Sequence, residues 1–121
     1  MDAGSPGNLA MAGRYQLVRV YLNEADEWEG RPLYLEILLF LERSGCAGGS
    51  VLRGVAGFTA GIGVVTTSLV DVGRKLPLVV EFVERAEKVS EVLPELRRMV
   101  SPRLITLEEV EVVPPNEKHS T

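Results

Sequence analysis

Arg53, followed at once by Gly54-Val55-Ala56-Gly57-Phe58, is the combination in this chain best suited to holding an anion. A guanidinium presents a planar fork of donors to a carboxylate or phosphate, and glycines let backbone N–H groups come close to one. Arg53, Gly54, Gly57 and Phe58 are therefore the candidate ligand contacts. Arg53 falls in a strand-like run, flanked on its own face by Val51 and Val55. There it either meets a carboxylate or phosphate partner or, on an edge strand, snorkels to water. No Gly-Lys-Ser/Thr ends the stretch, so it is not a P-loop. The same glycines serve equally well as structural residues in a flexing loop.

Catalysis finds little to work with. The single histidine, His119, stands in the C-terminal tail, and Cys46 has no evident base beside it, so no Ser/His or Cys/His pair is predicted. No cofactor and no metal site are expected, because transition metals recruit several His or Cys side chains. The four carboxylates Glu24, Asp26, Glu27 and Glu29 lack the glycine and the alternation of a calcium loop, and read as a solvated acidic turn. Trp28, set among them, is either a lid for a flat ligand or the anchor that docks this turn onto a helix.

The elements that must position these residues follow from periodicity. Residues 15–22 alternate, with Val18, Val20 and Leu22 on one side and Tyr15, Leu17, Arg19 and Tyr21 on the other. Pro32 suits the start of a helix over 33–43, which Gly45 closes. That helix is apolar on nearly every side, so a second face is expected to be covered, by another subunit or by a long loop. Residues 50–56 predict a second strand. The twenty residues 57–76 then read as a mobile loop on extended, hairpin-like stems, with Val64 to Val70 β-branched enough for a strand.

A third strand is expected over 78–83 and an amphipathic helix over 86–100, which Pro94 should kink or split. The last strand is expected over 104–113, with a bulge at Glu108-Glu109 where the apolar face changes side. The order is βαββαβ, the α+β ferredoxin-like arrangement of a four-stranded antiparallel sheet with two helices on one face. Its other face carries Leu17 and Tyr21, too apolar for a wholly wet surface, and points to oligomerisation.

A length of 121 residues suits one domain, expected over 14–113 between disordered tails at 1–13 and 114–121, with Met11 a second candidate start. A net charge of −4 supplies no basic field, which argues against nucleic acid and membrane surfaces. The lone cysteine, the absence of a charged N-terminal start and apolar runs too short for a bilayer point to a cytoplasmic protein without membrane insertion.

Five ordered segments carry a family resemblance. They are Tyr21-Leu22 with Glu24, Trp28 to Tyr34, Val51 to Phe58, Leu76 to Glu81, and Leu104 to Val110. In these the chain resembles the uncharacterised, domain-of-unknown-function branch of the PII-like proteins, over about residues 15–113. The resemblance implies a homotrimer with clefts between subunits that take a small anionic effector, an adenine nucleotide in the nitrogen-regulatory PII proteins. It also implies a long loop that contacts a partner protein, a transporter or channel among the candidates. In this sequence that loop is 57–76, with Thr59, Gly61, Gly63, Arg74 and Lys75 as its partner-binding residues.

Two departures accompany the resemblance. Ser101-Pro102-Arg103 stands where nitrogen-regulatory PII proteins have a Gly-rich, Lys-containing phosphate loop. Val64-Val65-Thr66-Thr67 and Val72-Gly73-Arg74-Lys75 stand where a histidine and an acidic segment are expected. Two further readings of the same fold are a trimeric ion-binding protein like the divalent-cation-tolerance proteins and an acylphosphatase-type hydrolase. In the hydrolase, the Gly-rich loop joins the first strand to the first helix, whereas here it follows the second strand.

Overall fold

A computed structural model describes residues 13–68 and 75–116. Most of the two expected tails, with Met11 and His119, and Arg74 of the central loop lie outside the described residues.

The alternation of the first strand is realised in β1, Tyr15–Asn23, whose Val18, Val20 and Leu22 are buried. The chain then makes a small hairpin from β2, Glu27–Trp28, and β3, Arg31–Pro32, with Trp28 opposite Arg31. Its two-residue turn is Glu29-Gly30, both at positive φ (53° and 80°). That pair of angles matches the twist of a tight hairpin, and Gly30 adopts its half without a side-chain clash. Helix α1, Leu33–Arg43, follows directly and ends where Gly45 turns left-handed at φ 89°.

Strand β4, Ser50–Arg53, is short, and β5, Ala56–Thr59, leaves the sheet to pair with β6, Gly63–Thr66. The expected strand 50–56 is thus broken at Gly54-Val55. Strand β7, Pro77–Arg85, helix α2, Ala86–Val100, and strand β8, Leu104–Val110, complete the chain. The sheet order is β4-β7-β1-β8, antiparallel at every junction. This is the ferredoxin-like order expected from the sequence.

One face of the sheet buries Val18, Val20, Leu22, Leu78, Val80 and Phe82 against Leu33, Ile37 and Leu41 of α1 and Val89, Val92, Leu96 and Met99 of α2. Fully burying one such side chain stabilises the fold by about 1.5–3 kcal/mol. Both helices therefore lie on this face.

Of the kink or split expected at Pro94, the split does not occur: helix α2 runs continuously from Ala86 to Val100. Pro94 and Ser90, four residues back, are both exposed, so water can replace the backbone bond that proline removes. Strand β8 has no bulge, because its register with β1 runs unbroken from Tyr15↔Val110 to Tyr21↔Leu104. The apolar residues change side without one, since the far face of this sheet is itself apolar. That face carries Leu17, Tyr21, Leu52, Val79, Val83 and Leu104, of which Tyr21, Leu52, Val83 and Leu104 are exposed. At its centre Arg19 bridges Glu81 at 3.3 Å and Glu108 at 3.1 Å. On the other side of the molecule, Leu35 and Leu39 of α1 are exposed as well.

Candidate functional site

Two of the loop candidates, Thr59 and Lys75, meet at the end of β1, where a polar residue breaks the apolar alternation. Asn23 is 1% exposed. Its Nδ2 donates to the Lys75 carbonyl at 2.6 Å and to Thr59 Oγ1 at 3.2 Å, and its Oδ1 accepts from the Ala25 N–H at 2.8 Å. A buried amide persists only when its donors and acceptor are matched, and here all three partners lie in different segments. Thr59 and Lys75, both expected to face a partner, are therefore held at the base of the 57–76 segment by one side chain. The Glu24 N–H adds a bond to the Leu76 carbonyl at 3.0 Å.

The acidic turn that follows is only half solvated. Glu27 and Glu29 are exposed, but the Glu24 side chain is 8% exposed and binds Arg53 Nη2 at 2.5 Å. Arg53 closes β4, opposite Leu78, with its side chain 59% exposed. It is thus an edge residue with a carboxylate partner, combining two arrangements that the sequence left as alternatives.

Asp26 is held on the other side of the same turn by Arg103 in a two-pronged pair, Nε to Oδ2 at 2.8 Å and Nη2 to Oδ1 at 2.7 Å. Its Oδ2 also accepts the Asn23 N–H at 3.0 Å. The bond to Asp26 raises the Arg103 pKa above its usual value. Arg97 Nη2 closes on the Arg103 carbonyl at 2.5 Å. Asn23, Glu24 and Asp26 therefore tie the base of the loop, the end of β4 and the α2–β8 connection into one polar cluster.

Trp28 anchors its hairpin: it packs against the core, and Arg98 lies 5.0 Å from the ring centroid. Arg98 also binds Glu95 and holds that carboxyl below the usual range. Cys46 is half-buried, and burial, followed by the nearby Glu84, pushes its thiol up, away from the nucleophilic form.

The glycines pack closely. A Cβ at Gly57 would stand 2.9 Å from Pro77 Cγ, and one at Gly54 3.0 Å from the same atom. The Gly54 N–H meanwhile donates to the Pro77 carbonyl at 2.8 Å. These glycines let the hairpin lie on the Pro77 ring. Gly57→Ala is expected to cost about 1–3 kcal/mol through overpacking. Urea unfolding measures it, and an unchanged midpoint would mean that Pro77 yields freely.

Phe58 stands opposite Val64 across the β5–β6 ladder, and the two are 74% and 72% exposed. Gly61 and Gly63 occupy the tip, both at positive φ. Arg53, Gly54 and Gly57 thus gather at the root of the hairpin, while Phe58 projects from it. Asn23 and the Asp26–Arg103 pair are the site residues that the sequence reading missed. The available signal was the Asn-x-x-Asp spacing directly after an apolar strand, since both residue types bind nearby backbone in turns.

Among the described residues, no three His, Cys, Asp or Glu side chains are grouped to hold a metal, and no helix is long and apolar enough to cross a membrane.

Residues 15–112 match the model of the DUF190 family, described as "Uncharacterized ACR". The UPF0166 protein of Aquifex aeolicus (strain VF5) is 33% identical over 98 residues, which are 81% of this chain and 92% of that protein. The UPF0166 protein MJ1524 of Methanocaldococcus jannaschii is 31% identical over 85 residues, 70% of this chain and 78% of that one. Among solved structures, CPII from Thiomonas intermedia K12, bound to ADP and bicarbonate, superposes with a TM-score of 0.58 at 15% identity. The match covers 82% of this chain and 88% of CPII. At that identity the likeness is one of fold, and the fold is PII-like. With a family model spanning every described strand and helix, the chain belongs to the DUF190 family of UPF0166 proteins.

Proposed function

We propose that this chain is a cytoplasmic PII-like regulatory protein acting as a homotrimer. It binds a small anionic effector, an adenine nucleotide among the candidates, in clefts between subunits. It signals to a partner protein, such as a transporter or channel, through residues 57–76. Its chemistry is binding rather than turnover. The observation that carries this reading is the β5–β6 hairpin, which offers Phe58 and Val64 to solvent beside a turn that Asn23 holds through Thr59. An apolar pair that exposed on an anchored hairpin is suited to docking. The apolar far face of the sheet supports assembly, and the fold likeness to CPII with ADP and bicarbonate supports an anionic effector.

In this reading Arg53, Gly54, Gly57 and Phe58 line the cleft, and Thr59, Gly61, Gly63, Arg74 and Lys75 serve the partner. Arg53 keeps most of its side chain exposed while paired with Glu24, so its remaining donors can take a second anion. Light scattering is expected to give three times the chain mass at micromolar concentration, and a stable monomer there would remove the assembly. A thermal-shift series with ADP, AMP, bicarbonate and inorganic phosphate tests the effector, since a ligand at 100 times its Kd adds about 2.7 kcal/mol. Arg53→Ala is expected to weaken the ligand so found more than tenfold, the loss of a charge-assisted contact of about 1.5–3 kcal/mol. If Arg53→Ala instead dissolves the oligomer and spares binding, Arg53 is an interface residue.

A further inference from the structure

Two ends of secondary structure lack strand partners at the same end of the sheet. Strand β4 pairs with β7 only from Ser50↔Glu81 to Arg53↔Leu78. Among the described residues, Phe82, Val83 and Glu84 of β7 have no strand beside them on that side. In place of a strand there is the irregular Ala47-Gly48-Gly49 segment, whose Ala47 N–H donates to the Glu84 side chain at 2.6 Å. Between this segment and the sheet lies a 360 Å³ dent on the far face, whose lining includes Leu17, Ala47, Gly48, Gly49, Phe82 and Val83.

The complementary piece lies after β8. Residues Val110-Glu111-Val112-Val113 have strong strand propensity, yet β8 stops at Val110 because its partner β1 begins at Tyr15. Val113 is 83% exposed, and 111–113 carry no regular structure. Tyr15 pairs with Val110 on one side and with Arg85 on the other, so this segment leaves the sheet at the same end as the open stretch of β7.

The segment cannot reach the dent within its own chain. From β8 it would have to pass β1 and β7 to the position beyond, three strand spacings or about 14 Å. Three extended residues span only about 10 Å, with none left to pair.

We propose that residues Glu111–Val113 of one copy add as a strand to the open edge of β7 at Phe82–Glu84 in a neighbouring copy, filling the dent beside Gly48. Backbone N–H and C=O groups supply the attraction, and Val112 or Val113 supplies the apolar side chain facing Leu17 and Val83. The contact is head-to-tail, because donor segment and acceptor edge are different surfaces, and such contacts give a ring when the rotation between copies closes. This rests on the trimer proposed above and names how its subunits interlock.

The test is a disulfide. A Cβ added at Gly48 meets nothing within 4 Å and Gly48 is not left-handed, so Gly48→Cys is tolerated. In the full chain with Cys46→Ser, Gly48→Cys and Val112→Cys, mild oxidation is expected to give covalent dimer and trimer bands on non-reducing gels, absent from each single-cysteine variant. Wild-type light scattering is run alongside. A trimer without cross-linked bands overturns this inference alone, whereas a monomeric wild type overturns both the inference and the trimer. As a second measure, ending the chain at Val110 should raise the concentration at which the assembly dissociates at least tenfold, with the circular dichroism spectrum retained. An unchanged midpoint overturns the strand addition.

Discussion

Asn23→Ala is expected to destabilise the protein by about 3 kcal/mol and to loosen the base of the 57–76 segment. The substitution removes a side chain that is 1% exposed and satisfies three groups, the Lys75 carbonyl, Thr59 Oγ1 and the Ala25 N–H. Leaving a buried partner without its hydrogen bond costs about 1–3 kcal/mol. Thr59 can turn its hydroxyl to water, so the sum is carried mainly by the other two. Urea unfolding measures the loss. The local effect is read by trypsin, which should cut after Lys75 faster in the variant at a urea concentration where both proteins remain folded. A loss below 1 kcal/mol, or equal cleavage rates, would show that water replaces Asn23 and that the polar cluster does not hold the loop.

The second large effect is expected at Asp26. The Asp26 and Arg103 side chains are 17% and 19% exposed, and their two-pronged bond joins the turn after β1 to the α2–β8 connection. Breaking a fully buried pair costs about 3–5 kcal/mol, mostly by stranding the other charge. With this partial exposure, Asp26→Ala is expected to cost about 2–3 kcal/mol. Arg103→Ala should cost less, because Asp26 keeps the Asn23 N–H as a donor. Arg103→Lys should restore little, since an ammonium cannot reproduce the fork. A double-mutant cycle isolates the coupling, and a coupling energy near zero would reduce the pair to a surface contact.

How far the sequence led is visible at single residues. Helix α2 was legible to its boundaries because its apolar residues recur at helical spacing and bury a single stripe. A strand beginning near Val64 was legible from its β-branched residues and forms as Gly63–Thr66, although its partner Ala56–Thr59 and the strand break at Gly54-Val55 were not. That break depends on the Pro77 ring more than twenty residues away, against which Gly54 and Gly57 close. The bulge predicted at Glu108-Glu109 does not form, because Val110 joins Tyr15, Leu17 and Tyr21 on the far face instead of being turned to the core. The unbroken register shows that both faces take apolar residues.

The βαββαβ order, the antiparallel sheet and the apolar faces could be read from the residues alone, because periodicity and turn chemistry are local and survive without neighbours. The sequence also singled out Arg53, as an arginine that either meets an anionic partner or reaches water from an edge strand. That Arg53 pairs with Glu24, that Asp26 belongs to Arg103 seventy-seven positions along the chain, and that Asn23 joins Thr59 to Lys75 all depend on the folded arrangement. Charges and amides carry no periodic signal. Which carboxylate meets which arginine depends on where the strands end, and the register of β1 against β7 and β8 sets that.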